Sequence, residues 1–491
     1  MQIPYIIVPA ILILVVLAAV WLDRFGVPVI LVALGAGIAF GSDVLNLWHF
    51  DDVVLTNQIA NTALIFILFY GGFSTKLSDF RAVALPAAGL ATWGVLLTAL
   101  VSFGCLWGLF GWPLEKALLL STVISSTDAA ATFSILRRQA LPPRLSSTLE
   151  IESAANDPMA ILLTLAAIEI LSSGDARGLS TIGLFLWKFA AGPALGWLLA
   201  RGALCIFNRL RPEDRGYYYV LLLGVMLLTY GVTELFHGSG MLAVFTAGLV
   251  MGNRRFAYRQ GVKNFSAAFS TIANIGVFVL MGVLVFPGRW SAYWAQGLLL
   301  FAVLTFVSRP VAIWVGTMGM KMDARTKIFS SWAGLRGAVP IILATFPLSA
   351  GLAAGEDVFN VVFIAVILSV LIQGSTLGLV ARWLGLSEPS RPMHRYGLEL
   401  VTMAQSELEL VVIDLPDPEG APGPRICDLL LPPRAVIILI VRGNEVIVPK
   451  GDTRLLGWDR VTALARADDE DAVRAALLAP FALQQDPAAP L

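Results

Sequence analysis

Charge is what this chain has least of. Only 14% of its 491 residues are Asp, Glu, Lys or Arg, against about 25% in an ordinary soluble domain. The two signs cancel, 34 against 34, so no basic surface for nucleic acid is expected, and the Lys and Arg that exist fall in short clusters. The three cysteines (Cys105, Cys205, Cys427) and three histidines (His49, His237, His394) stand singly. That spacing gives neither a zinc site nor a disulfide framework. What fills the chain instead is apolar: 57% hydrophobic residues and a mean hydropathy of +0.78. These values describe a polytopic membrane protein whose main surroundings are lipid.

A helix needs roughly 20 apolar residues to cross a bilayer. By that measure about thirteen spans precede position 388, at 4–22, 27–42, 58–74, 84–110, 114–135, 147–172, 181–207, 217–236, 240–252, 265–287, 292–318, 325–349 and 356–385. The first, "IPYIIVPAILILVVLAAVWL", lacks a basic leader and reads as an uncleaved span. Alternate loops carry the basic residues: Arg24; Lys76 and Arg81; Arg137, Arg138 and Arg144; Arg209, Arg211 and Arg215; Arg254, Arg255, Arg259 and Lys263; Lys321, Arg325 and Lys327. That parity predicts a periplasmic N-terminus and a cytoplasmic C-terminus.

Composition changes after the membrane region. Residues 1–388 form that region, 389–398 a polar linker, and 399–480 a small α+β cytoplasmic domain. "LELVVIDL", "AVIILIVR" and "EVIVPK" read as strands and "DDEDAVRAALL" as a helix. Residues 481–491 read as a disordered tail.

Three stretches carry polar chemistry where lipid should exclude it. In "TLEIESAANDPMAILLTLAA", Glu152 and Asn156 share one helical face, as do Ser153 and Asp157. This stripe offers oxygen ligands to a small cation, or a proton site. Pro158 removes a backbone N–H beside it. The alternative is a solvated helix start. In "STVISSTDAAATFSILRR", Ser121, Ser125, Ser126, Thr127 and Asp128 suit a helix that unwinds in mid-membrane, or a hydroxyl-rich packing face. In "SSWAGLRGAVPIILATFP", Arg336 lies between Gly334 and Gly337 and needs an acidic partner. Pairing with Glu152 would leave Asp157 exchangeable, whereas pairing with Asp157 would neutralise the site. Glu169, Lys188, Arg201, Glu234 and Arg309 sit nearer helix ends or lack a polar cluster, and snorkelling accounts for them. Gly37 and Gly41 in "LGAGIAFG" read as a close helix contact.

Taken together, "STDAAATFSILRR", "LEIESAANDPMAILLTL", "GSGMLAVFTAGLVMGNR" and "SSWAGLRGAVPIILATFP" resemble the monovalent cation/proton antiporter superfamily, NhaP-like branch. The likeness is greatest to potassium/proton antiporters with a TrkA-type C-terminal domain, and it covers residues 1 to 475. It implies two inverted repeats with broken crossing helices, a homodimer in the bacterial inner membrane, and a secondary transporter rather than an enzyme. It also implies that Asp157 binds the cation or the proton in turn, with Asn156 and Ser153 beside it. Thr127 and Asp128 would lie in the unwound crossing, and Glu152 would pair with Arg336. No cofactor is implied beyond the transported K+ or Na+ and H+, with a small regulatory ligand possible on the C-terminal domain. The sequence departs from relatives at Tyr70, where an acid often stands.

The mechanism expected from these residues is competition of proton and cation for Asp157, exchanged by alternating access. A gated cation channel is the rival, but no "TVGYG"-type filter is present. A sodium-coupled carrier of organic solutes is a further alternative.

Overall fold

The computed structural model describes residues 3–23, 29–41, 43–45, 52–75, 89–127, 141–173, 178–210, 212, 214–284, 287–320, 322–386, 408–416, 423–443, 445–466 and 469–482. Asp128, the linker 389–398 and residues 483–491 lie outside them. Contacts divide the chain into two units. The first comprises 1–206, 214–254 and 263–388, and the second 207–213, 255–262 and 389–491.

The first unit is helical. Its elements begin with α1 (Ile3–Asp23), α2 (Val29–Phe40), α3 (Val53–Ser74), α4 (Val95–Phe103), α5 (Leu114–Val123) and α6 (Pro143–Ser173). They continue with α7 (Gly178–Arg209), α8 (Gly216–Leu235), α9 (Gly240–Gly252) and α10 (Arg259–Val283). The last are α11 (Trp290–Val303), α12 (Arg309–Gly316), α13 (Ala324–Trp332), α14 (Ala338–Ser349), α15 (Gly355–Leu368) and α16 (Gly374–Trp383). Among the described residues, eight helical stretches are long and apolar enough to cross a membrane, and four shorter apolar helices accompany them.

Several of these helices are not uniform. Wide π turns at Leu90–Gly94 and Gly104–Leu109 flank α4, one at Leu304–Ser308 joins α11 to α12, and one at Ser369–Gln373 joins α15 to α16. Such turns shift the register of the side chains that follow and concentrate at functional sites. The segment read as one span at 325–349 is two helices, because residues 333–337 leave helical geometry between α13 and α14. Likewise α5 ends at Val123 and residues 126 and 127 are non-helical. α6 passes through Pro158 without a break.

Small residues set the close helix pairs. A Cβ on Gly248 would strike the Phe69 carbonyl, one on Gly252 the Phe73 carbonyl, and one on Gly72 the Phe245 carbonyl. α3 and α9 therefore touch backbone to backbone. Gly37 meets the Val279 carbonyl in the same way, which makes it the close contact expected of it, between α2 and α10. Side chains fix the helix starts: the Leu55 N–H donates to Asp52 Oδ1 at 2.9 Å ahead of α3, and the Leu242 N–H to Ser239 Oγ at 3.3 Å ahead of α9.

In the second unit, β1 (Leu408–Asp414), β2 (Val436–Arg442), β3 (Glu445–Ile447) and β4 (Arg460–Arg466) form one antiparallel sheet in the order β1-β4-β2-β3. Helix α17 (Glu470–Ala482) contributes Val473, Leu477 and Phe481 to a core with Val411, Ile413, Ile440 and Val461. The central strand β4 was not among the strands expected from sequence. Arginines at both ends and Ala and Thr between them hide it, yet Val461 and Ala463 are fully buried. Arg442 donates twice to Asp459, each bond 2.9 Å long, and Asp459 is fully buried. Those bonds hold the Arg442 guanidinium above its ordinary pKa.

Candidate ion site at the broken crossing

The acidic stripe on α6 is buried: Glu152 is 0% exposed, Asp157 7%. It does not act as a single face. Ser153 and Asn156, three apart, both reach the end of the unwound segment after α5. Ser153 Oγ lies 2.9 Å from Thr127 Oγ1, and Asn156 Nδ2 donates to the same hydroxyl at 2.5 Å. Thr127, Ser153 and Asn156 are thus brought together, with Asp157 next in the chain. Asp128 lies outside the described residues. Among the described residues, Asn156 Oδ1 and Ser126 Oγ are buried oxygens with no hydrogen-bond partner.

The arginines depart from expectation. Glu152 pairs with Arg309, Nη1 to Oε1 at 2.6 Å, both side chains at most 5% exposed. The contact is one of charge rather than of aligned hydrogen bonds, since among the described residues neither Glu152 oxygen has a hydrogen-bond partner. The expected Glu152 to Arg336 bridge is therefore corrected. Arg309 is no snorkelling side chain: it follows the π turn Leu304–Ser308, which aims it into the bundle. Gly334 makes room for it, because a Cβ there would stand 2.5 Å from Arg309 Nε.

Arg336 has a different task. Its Nη1 donates to the Ser125 carbonyl at 2.9 Å and to the Ser126 carbonyl. The guanidinium thus satisfies backbone acceptors that α5 leaves orphaned where it stops. Each broken helix depends on the other. Thr305, Arg309, Gly334, Arg336, Ser369 and Gln373 also line a cavity with room for about one water molecule.

Sequence reasoning missed two further polar links. Lys116 lies on the first turn of α5 and is 8% exposed. Its ammonium meets Asp357 Oδ2 at 2.5 Å and Gln296 Oε1 at 2.8 Å. Asn57 Nδ2 of α3 donates to Thr345 Oγ1 of α14 at 3.1 Å. The signal for the first was present in sequence, as a basic and an acidic residue each in the first turn of an apolar helix; nothing local pointed to the second.

The donor set has a definite chemical character. One carboxylate, hydroxyls and an amide suit a weakly held hard cation. Among the described residues no group of three or more His, Cys, Asp or Glu is placed to hold a metal.

Residues 10–383 match the family model described as sodium/hydrogen exchanger, transmembrane. The chain is 34% identical over 460 residues to the K(+)/H(+) antiporter NhaP2 of Shewanella sp. (strain MR-4), covering 92% of this chain and 79% of that protein. It is 31% identical over 347 residues to the Na(+)/H(+) antiporter NhaP of Pseudomonas aeruginosa, covering 66% of this chain and 80% of that one. Its fold matches the sodium proton antiporter MjNhaP1 of Methanocaldococcus jannaschii with a TM-score of 0.67 at 23% identity, over 78% of this chain and 99% of the other.

Proposed function

The chain belongs to the sodium/hydrogen exchanger family, and from that premise we propose that it exchanges K+ for H+ by alternating access, with Asp157 holding cation or proton in turn. The observation that carries the site is the junction of α6 with the crossing after α5. There Ser153 and Asn156 each hydrogen-bond Thr127, and the buried Asp157 follows Asn156 on α6. Glu152 has its charge engaged by Arg309, and Arg336 is engaged by two carbonyls. We assign the cycling role to Asp157, the buried acid that follows Asn156 on α6.

One exchanging carboxylate per protomer makes the exchange one for one and electroneutral. K+ is favoured because the 34% identical relative that spans 92% of the chain is named for K+ and H+. The second reading, Na+ for H+ by the same chemistry, draws on the Pseudomonas aeruginosa relative. The protein acts as a homodimer in the bacterial inner membrane, with a periplasmic N-terminus and a cytoplasmic C-terminus. In the cell it expels cation for volume and pH control. The C-terminal domain expected at 399–480, with its four-stranded sheet, is on this reading a TrkA-C-like regulatory module.

Everted vesicles loaded with a pH-sensitive dye and challenged in turn with K+, Na+, Li+ and NH4+ test both the activity and the ion. K+-dependent proton movement that leaves the membrane potential unchanged is the expected result. A current that reverses with voltage would overturn the stoichiometry, and no response to any cation would overturn the function.

A further inference from the structure

The backbone of the break at 333–337 is held by a pair of side chains with no assigned role. Where α13 ends, the Trp332 carbonyl accepts from Gln373 Nε2 at 3.1 Å. Ahead of α14, the Arg336 N–H donates to Ser369 Oγ at 3.0 Å. Ser369 Oγ in turn donates to Gln373 Oε1 at 2.5 Å, so the two side chains form one unit. Both are buried, at 1% and 2% exposure, and both belong to the π turn Ser369–Gln373. One turn further, Thr376 Oγ1 accepts from Trp332 Nε1 at 3.0 Å.

We infer that Ser369 and Gln373 are positioning residues for the cation site, acting through Arg336 and the crossing after α5. The chain of contacts is continuous. Gln373 and Ser369 fix the Arg336 backbone; the Arg336 guanidinium fixes the Ser125 and Ser126 carbonyls; Thr127 follows directly and meets Ser153 and Asn156. The inference rests on Asp157 being the exchange site.

The physical consequence is competition. With its backbone anchored, the Arg336 guanidinium stays on the carbonyls. Freed from the Ser125 and Ser126 carbonyls, it is a mobile buried cation that seeks a carboxylate, and it competes with the transported ion for Asp157. Arg309 beside it is already committed to Glu152. Affinity for the cation is therefore the quantity expected to fall, with the maximal rate expected to hold. A polar pair that merely glues helices together would instead lower the amount of folded protein or the maximal rate.

Proteoliposomes holding the full chain separate these outcomes, with K+ and Na+ each titrated against dye-reported proton flux. Gln373→Leu removes two neutral hydrogen bonds and is expected to raise the KM of the transported cation about fivefold or more, with maximal rate within about twofold of wild type. Ser369→Ala should do the same, and Ser369→Thr, which keeps the hydroxyl, should restore the wild-type KM. An unchanged KM in both Gln373→Leu and Ser369→Ala, or a loss confined to maximal rate, overturns the positioning role. If Gln373→Leu does not reach the membrane, Ser369→Ala against Ser369→Thr decides alone. Failure of the site itself is separately visible: Asp157→Asn would then still exchange, whatever positions 369 and 373 do.

Discussion

Arg309 Nη1 stands 2.6 Å from Glu152 Oε1, and both side chains are shut away from solvent. Two charges so buried are tolerated only as a pair. Arg309→Met alone therefore leaves a bare carboxylate and is expected to cost about 3–5 kcal/mol. The double variant Glu152→Gln/Arg309→Gln should recover most of it. Thermal unfolding in detergent, followed by size exclusion, checks the order. A double variant no more stable than Arg309→Met would show that the pair is not the reason these residues are there.

Gly334 tests the same pair sterically. Its missing Cβ leaves room for Arg309 Nε, so Gly334→Ala should displace the guanidinium and destabilise by about 1–3 kcal/mol, as overpacked cores do. Gly276→Ala, whose Cβ meets nothing within 4 Å, should be stabilising by about 0.5–1 kcal/mol through helix propensity. Equal melting temperatures for the two variants would contradict the packing seen at Gly334.

The contact of α3 with α9 makes a sharper version of this prediction. Gly248→Ala pushes a methyl group into the Phe69 carbonyl, and neither backbone can yield cheaply. Loss of folded, membrane-inserted protein is expected, measured as the monodisperse fraction of a fluorescent fusion. A wild-type profile would mean the helices are free to separate.

In the C-terminal domain the informative pair is Arg442 and Asp459. Asp459 is fully buried, and replacing Arg442 by Met removes two of its bonds, at an expected cost of about 3 kcal/mol. Because the bonds raise the Arg442 pKa, the guanidinium's own contribution is complete below its unfolded value and is lost only as pH rises through the folded one. Limited proteolysis of the full chain should cut Arg442→Met within 408–482 and spare wild type, at pH 6 and pH 8 alike. Equal resistance of the two chains would rule the pair out as a brace.

Much of this was legible in the sequence because lipid makes polarity conspicuous. Glu152, Ser153, Asn156, Asp157 and Thr127 stand out as costly in apolar runs, and Arg336 between Gly334 and Gly337 stands out as a buried cation in need of partners. Which acid meets which arginine was not legible. Helical spacing fixes neighbours along one helix, whereas the partner of Glu152 depends on how α6 and α12 are rotated against each other, and the π turn at Leu304–Ser308 resets that rotation. Ser369 and Gln373 were missed for a related reason. A lone Ser and Gln in an apolar span read as helix glue until the broken backbone they satisfy is seen. Strand β4 was hidden because its ends are charged and its middle is small.

The account turns on one carboxylate, and Asp157→Asn tests it most directly. Purified protein is reconstituted with an imposed K+ or Na+ gradient, and proton movement is read by a trapped pH dye. Wild type is expected to move protons against either an inward or an outward cation gradient. Asp157→Asn, folded and inserted to the same extent, is expected to move none. Cation-driven proton flux in that variant at the wild-type rate would contradict the assignment of the site.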